Sequence, residues 1–188
     1  VGGTDAIVST YFGNAQDPMF SKDANGNPGC FMHRQASFIT SFWPESAQGQ
    51  AGVETTVFPF PSVDASLPAA ALGGGDMWAA FNDREATKVV AEYLLSADFH
   101  ATAAQMPNNA RMSAHTGFDQ TLYSNDLYRV MGETISAALS ANSFRFDASD
   151  LMPPEVGGGS FWKEMMNLAV NGPGYIDEAL ANIDNSWP

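Results

Sequence analysis

The sequence predicts an α/β chain with few strands and many helices. Apolar residues recur at helical spacing in three stretches, 126–142, 161–169 and 176–183. Two strand candidates, 29–33 and 73–81, are short apolar runs that begin at glycine. Helices therefore dominate the predicted fold.

The N-terminal part predicts short elements separated by turns. Residues 4–11 are expected to be the end of a helix that begins further upstream. Gly, Asn and Pro are concentrated in 23–28, which predicts a loop leading into the strand 29–33. Ser37 is then expected to cap a short helix, which Pro44 stops.

The middle of the chain predicts two strands and then a helix. Residues 53–60 alternate as a strand does, and their prolines favour a sheet edge. Glycine bounds the next strand, 73–81, on its N-terminal side. Asn82 followed by Glu85 forms a capping box, so we expect a helix over 83–95.

Two further helices are expected before a connecting segment. The first spans 98–105, and the second spans 126–142. The apolar residues that define the second helix share one face: Leu127, Val130, Met131, Ile135 and Leu139. Residues 145–151 then lead to the rigid pair Pro153 and Pro154.

The last quarter combines a glycine run with two amphipathic helices. The run Gly157–Gly159 predicts a flexible turn, and Ser160 is expected to be the N-cap of the helix that follows. Trp162 then falls on the first turn of that helix, where an aromatic side chain can face a cleft. The apolar faces consist of Phe161, Met165, Leu168 and Ala169, and of Ile176, Ala179, Leu180 and Ile183.

Composition excludes one class of partner. The net charge is −13 with only eight Lys and Arg residues, and nucleic-acid affinity comes mainly from basic side chains that neutralise phosphates. Nucleic acid is therefore not expected to bind. Cys30 is the single cysteine, so no internal disulfide can form. No apolar run reaches membrane-spanning length, and no secretory signal opens the chain.

Four blocks, in order, resemble one known family. They are Gly29–Pro44, Val57–Pro61, Leu72–Phe81 and Leu151–Pro188. Together they look like the second half of the extracellular solute-binding proteins of ABC importers, in particular the carbohydrate group that includes maltose-binding and alpha-glucoside-binding proteins. Each block is degenerate, and the order of the four is the signal.

The resemblance implies a periplasmic-binding-protein-like fold of type II, with two lobes. This chain would be a fragment covering the C-terminal half, which agrees with an opening Val1 in place of Met. Residues 1–72 would form part of the C-terminal lobe and 76–146 part of the N-terminal lobe. Residues 152–188 would return to the C-terminal lobe.

The resemblance also implies a sugar site. Phe38 matches the family's stacking aromatic after the small-residue turn, where maltose-binding protein has a tryptophan. Trp162 matches the stacking tryptophan near the C-terminus. Beside the aromatics, Arg34 and Gln35 lie at a strand-to-helix turn, and Asp76 follows a glycine run, so all three can bond to sugar hydroxyls.

Structural alternatives accompany these residues. Phe38 can pack in the core, Arg34 can form a surface salt bridge, and Asp76 can shape a turn. Trp43 and Trp78 are expected in the core or at a lobe interface.

Hydrolase and metal sites find little support. No GxSxG elbow occurs. Cys30 and His33 would point to opposite faces of a strand, and His100 and His115 have no ligand-spaced partners, so we expect no zinc site.

A glycoside hydrolase remains an alternative, because it too combines aromatics with carboxylates. Asp76, Asp150 and Glu155 are the acidic residues considered for it. A non-catalytic protein-interaction module is the other alternative.

The expected protein is the substrate-binding component of an ABC importer, not an enzyme, with no cofactor or metal. It would bind a sugar or oligosaccharide between two lobes and deliver it to the membrane permease. The intact protein is expected to be monomeric and extracytoplasmic, either periplasmic or lipid-anchored at the cell surface.

Overall fold

The structure is a computed structural model that describes residues 2–48, 53–67, 70–107 and 109–188. These residues combine helices with one small sheet. None of their helices is long and apolar enough to cross a membrane. The α-helices are α1 (Gly3–Ser9), α2 (Asp17–Phe20), α3 (Glu45–Gln48), α4 (Glu85–Leu94), α5 (Ala97–Ala104), α6 (Asp126–Ser140), α7 (Trp162–Asn171) and α8 (Ile176–Asp184). Short 3₁₀ turns cover Phe12–Asn14, Ser37–Phe42, Gln120–Leu122, Ser149–Leu151 and Pro173–Tyr175, and a π-helix covers Glu155–Phe161.

The sheet consists of β1 (Ala71–Gly73) and β2 (Phe144–Phe146). The N–H of Ala71 donates to the carbonyl of Ser143 at 3.2 Å, and the N–H of Asp147 donates to Gly73 at 2.9 Å. Both strands therefore advance in the same direction, as in a parallel pair.

The strand predictions were largely wrong. Residues 29–33 pair with no strand, because the N–H groups of Gly29 and Cys30 donate to the carbonyls of Ser21 and Pro18, at the end of α2 and within it. The described part of 53–60 carries only an isolated bridge residue, and of 73–81 only Gly73 lies in a strand. Apolar runs here mark extended segments, not sheet.

The helix predictions were better. The helices expected over 83–95, 98–105 and 126–142 are present as α4, α5 and α6. The capping box at Asn82 was wrong, since α4 begins two residues later, with Arg84 at the N-cap. The Asn82 side chain instead accepts from the Arg84 N–H and the Thr87 hydroxyl.

The chain divides into two compact units. Unit 1 comprises the segment that ends at Ala15, together with Leu72–Gly74 and Arg145–Pro188. Unit 2 comprises Gln16–Ala71 and Gly75–Phe144. This division groups residues differently from the predicted lobes, whose assignment concerns a whole two-lobe protein and stays a prediction.

Aromatic residues form the core of unit 2. Trp43 is buried as predicted, against the Phe20 ring at 5.3 Å between centroids. The buried hydroxyls of Tyr128 and Thr40 lie 3.1 Å apart and hydrogen-bond. The remaining buried members of the cluster are Ala104, Ala110, Tyr123 and Leu127. Trp78, in contrast, is half exposed.

Unit 1 has a smaller core, built where α7 packs on α1 and α8. Val156, Ala179 and Ile183 are its buried apolar residues. The glycine run predicted as a flexible turn is helical: the π-helix continues directly into α7, and Ser160 is not an N-cap. A Cβ on Gly157 would lie 2.0 Å from the Ser149 carbonyl oxygen, so glycine is required for this close approach.

Candidate functional site

Phe38 lies on the surface of unit 2. It belongs to the 3₁₀ turn 37–42, where the neighbouring Ile39 and Thr40 are buried while Phe38 is 43% exposed. Its ring meets Phe42 edge-on, with centroids 6.4 Å apart. Phe38 is therefore not a core residue of this unit.

Arg34 and Gln35 precede this turn. The Arg34 guanidinium carbon lies 5.1 Å from the centre of the Phe60 ring, which is a cation–π contact and not the salt bridge considered from the sequence. The Gln35 side-chain oxygen accepts from the Ala36 N–H at 2.9 Å. Gln35 thus fixes the backbone that leads into the Phe38 turn.

Asp76 forms an ion pair with Arg111, a residue that the sequence did not suggest. Both side chains are 76% exposed. Arg111 also lines an open depression of about 410 Å³ together with Met106, Pro107 and Asn109. The depression combines apolar atoms with planar hydrogen-bonding groups, as small-molecule sites do.

The loop that carries Arg111 is tied down on both sides. The Asn109 side-chain amide donates to the Ala103 carbonyl at 2.7 Å, and the Arg111 N–H donates to the Asn109 side-chain oxygen at 3.2 Å. Beyond Arg111, the Ser113 N–H donates to the Tyr123 hydroxyl at 2.7 Å. These bonds fix the backbone at Arg111 to the end of α5 and to the aromatic core.

Two histidines continue this network. The Ser113 hydroxyl lies 2.9 Å from His100 Nδ1 and accepts from the His115 N–H at 3.1 Å. His115 Nδ1 accepts from the Gly117 N–H at 3.2 Å, so neutral His115 carries its proton on Nε2. Burial, and then the neighbouring His115, lowers the pKa of His100 below its usual value.

The rings of His100 and His115 pack against each other, with centroids 5.7 Å apart, although their spacing in the sequence is not that of metal ligands. The contact is a packing and hydrogen-bonding one. Among the described ranges, no group of three or more His, Cys, Asp or Glu side chains is placed to hold a metal ion.

Trp162 lies in unit 1, on the first turn of α7. Its side chain is 54% exposed, and its ring meets Phe161 edge-on at 5.9 Å. Trp162 therefore presents a large aromatic surface outside the core of its unit, as a stacking residue must.

Glu164 lies two residues further and is buried, with only 3% of its surface exposed. The Tyr175 hydroxyl donates to its carboxylate at 2.8 Å and the Asn167 amide at 3.4 Å. The Tyr175 bond lowers the pKa of Glu164, so the buried carboxylate is held in its ionised form. The hydrogen bond between Glu164 and Tyr175 joins α7 to the 3₁₀ turn that precedes α8.

The five residues predicted for the site divide between the units. Arg34, Gln35, Phe38 and Asp76 lie in unit 2, and Trp162 lies in unit 1. Their joint role in one ligand site stays a prediction.

Sequence reasoning missed two residues for different reasons. Arg111 stands in a segment without periodicity, and only its tertiary ion pair with Asp76 marks it. Glu164 carried a signal, because it lies three residues after Phe161 and four before Leu168, on the predicted apolar stripe. An acid on that stripe indicates a buried polar cluster.

Comparison with known proteins points to proteins that bind small solutes. The chain is 33% identical over 187 residues to the "Osmoprotective compounds-binding protein GgtB" of Synechocystis sp. (strain PCC 6803), covering 100% of this chain and 41% of the relative. It is 31% identical over 188 residues to the "Alpha-glucosides-binding periplasmic protein AglE" of Rhizobium meliloti (strain 1021), covering 99% of this chain and 38% of the relative.

The chain thus spans about two fifths of the length of these relatives. Both are named as binding proteins and neither as an enzyme. No family model matches the chain, and no solved structure matches it significantly.

Proposed function

We propose that this chain is part of the substrate-binding component of an ABC importer, an extracytoplasmic protein that binds a sugar or a related polyol and delivers it to a membrane permease. The observation that carries the proposal is similarity along the whole chain to two binding proteins, one for alpha-glucosides and one for osmoprotective compounds. A neutral alpha-glucoside is the ligand class that we infer from their names.

The exposed aromatics support a sugar ligand. Pyranose rings present an apolar face that stacks on flat aromatic side chains, while their hydroxyls bond to planar polar groups. Phe38 and Trp162 are both partly exposed aromatic residues in the interior of the sequence. Asp76 and Arg34 supply polar groups in unit 2.

The proposed mechanism uses the two-lobe fold of the whole protein, with 1–72 and 152–188 in the C-terminal lobe and 76–146 in the N-terminal lobe. A ligand that contacts both lobes favours their closed arrangement, because it binds that arrangement more tightly. The closed form then docks on the permease. No group in this mechanism needs to react, so the protein acts without catalysis.

The test is a calorimetric titration of the full-length protein with maltose, sucrose and trehalose. Trp162→Ala should weaken binding by about 1–3 kcal/mol, the cost of truncating a large aromatic contact. Trp187→Ala is the matched control, since Trp187 is exposed to a similar extent in the same unit and should leave the affinity unchanged. Equal effects of the two variants would remove Trp162 from the site.

A further inference from the structure

We infer that Arg111 is an additional ligand-binding residue, and that its ion pair with Asp76 selects neutral polyols over anionic solutes in the depression beside it. This inference rests on the proposed function and extends it to a residue that no sequence pattern marks. It is carried by the depression, by the ion pair that its lining residue Arg111 forms with Asp76, and by the bonds that hold residues 109–113.

The depression offers the two kinds of surface that a polyol needs. Met106 and Pro107 contribute apolar atoms, and Asn109 and Arg111 contribute polar ones. The Asn109 amide is already committed to Ala103 and to the Arg111 backbone. Arg111 is therefore the polar lining residue that we assign to ligand contact, since its side chain is 76% exposed.

The ion pair determines which ligands fit. A guanidinium has five donors in a plane, and its Nε–H donates to Asp76. The remaining donors can bond to one hydroxyl of a vicinal diol while the carboxylate accepts from the other. An anionic ligand would have to displace Asp76 or approach it, and the net charge of −13 adds further repulsion.

The loop is preorganised for this role. Its backbone is bonded to α5 through Asn109 and to the core through Ser113 and Tyr123, so Arg111 is held on a braced segment. Binding therefore costs little ordering of the backbone of residues 109–113, which favours affinity.

The experiment measures binding of maltose and trehalose, and of glucose 6-phosphate as the anionic probe, to the full-length protein by calorimetry. Arg111→Gln should weaken binding of the neutral sugar by about tenfold or more, because it removes charge-assisted donors. Arg129→Gln is the matched control: Arg129 forms exposed ion pairs with Asp126 and Glu133 on α6, outside the depression, and should change the affinity less than twofold.

Asp76→Asn sharpens the test, since it leaves the Arg111 charge unpaired. This variant should bind the neutral sugar more weakly and glucose 6-phosphate more tightly than the wild type does. Circular dichroism confirms that each variant is folded before its affinity is compared.

The outcomes separate this inference from the proposed function. Sugar binding by the wild type, with the same affinity in the Arg111→Gln variant, would overturn the role of Arg111 and leave the proposed function standing. Folded wild-type protein that binds none of the neutral sugars would overturn both. A loss that Arg129→Gln reproduces would show a general charge effect and would also overturn the inference.

Discussion

The two units of this chain use polar groups in opposite ways. Unit 1 buries an ionised carboxylate, Glu164, and holds it with the Tyr175 hydroxyl. Unit 2 uses the hydroxyls of Tyr123 and Ser113 to brace a surface loop that exposes Arg111. The difference teaches that the Glu164–Tyr175 bond of unit 1 fixes one helical element against another, while the Ser113–Tyr123 bond of unit 2 holds a segment that presents a charged group to solvent.

The two units also differ in what lies close to their buried glycines. In unit 1, Gly157 approaches the backbone of Ser149. In unit 2, Gly132 on α6 approaches the side chains of Gln120 and Tyr123. A side chain can rotate away from an added methyl group more easily than a backbone carbonyl can move, so the two glycines should tolerate substitution differently.

The largest effect is expected for Gly157→Ala. Because the new Cβ would overlap a backbone oxygen, the free energy of unfolding should fall by about 3 kcal/mol or more. Urea denaturation followed by circular dichroism measures this change. Gly158→Ala is the control, since no atom lies within 4 Å of its Cβ position, and alanine should be neutral or stabilising there by up to about 1 kcal/mol. Similar values for both variants would contradict the close approach.

Gly132→Ala should have a smaller effect. The new methyl would displace the Tyr123 ring and the Gln120 amide, at a cost of about 1–3 kcal/mol for overpacking. The better helix propensity of alanine offsets part of that cost. The same denaturation measurement applies, and a loss larger than that of Gly157→Ala would reverse the contrast between the units.

Tyr123→Phe tests how the surface loop of unit 2 is held. It removes the oxygen that accepts from the Ser113 N–H, and it should cost about 1 kcal/mol of stability. Amide exchange should accelerate around Ser113 more than in α6. Tyr93→Phe, at a half-exposed tyrosine of the same unit, serves as the control. Unchanged exchange at Ser113 would show that the loop is held by other contacts.

The smallest effects are expected from a change in pH. The free energy of unfolding should decrease in two separate pH ranges. The pKa of His100 is lowered from about 6.5 by burial, so the unfolded chain binds the proton more tightly. The contribution of His100 to the free energy of unfolding is therefore fully present above pH 6.5, and it is lost as the pH falls from there through the lowered pKa. The pKa of Glu164 is lowered from 4.5 by the Tyr175 hydroxyl, so its contribution is lost only on acidification below that value.

Amide exchange measured as a function of pH checks this order, after correction for the intrinsic exchange rate. Protection around α5 and Ser113 should weaken first, and protection in α7 and α8 should weaken at lower pH. His100→Gln should remove the loss of protection around α5 and Ser113, and it should leave the loss in α7 and α8 at lower pH unchanged. A single transition in which both units lose protection together would contradict separate windows.

Helices could be predicted from the sequence, because their signals are local. In α6 the apolar face recurs with period 3.6, the Asn125 side chain accepts from the Tyr128 N–H at the start, and Asn142 adopts a positive φ of 53° just after the end. All three features lie within one short stretch of sequence. The helix therefore appears nearly where it was expected.

Strands and the site needed long-range information. Residues 29–33 have strand-like composition, but the N–H groups of Gly29 and Cys30 bond to carbonyls in α2 and at its end, and no sequence pattern reveals that choice. The glycine run at 157–159 was expected to be flexible, yet it lies in a π-helix, where the neighbouring Ser149 carbonyl leaves no room for a Cβ on Gly157. Of the site, Phe38 and Trp162 came from family resemblance and Asp76 from the glycine run before it, while Arg111 was found only from its contact with Asp76.

The most direct measurement is a fluorescence titration of the full-length protein with maltose and trehalose, comparing wild type with Trp162→Phe. A sugar that stacks on the exposed Trp162 ring should change the wild-type emission saturably. The change should be strongly reduced in Trp162→Phe, while calorimetry still detects binding because phenylalanine preserves an aromatic face. A folded wild-type protein whose emission and heat show no response to any neutral glycoside would contradict the account.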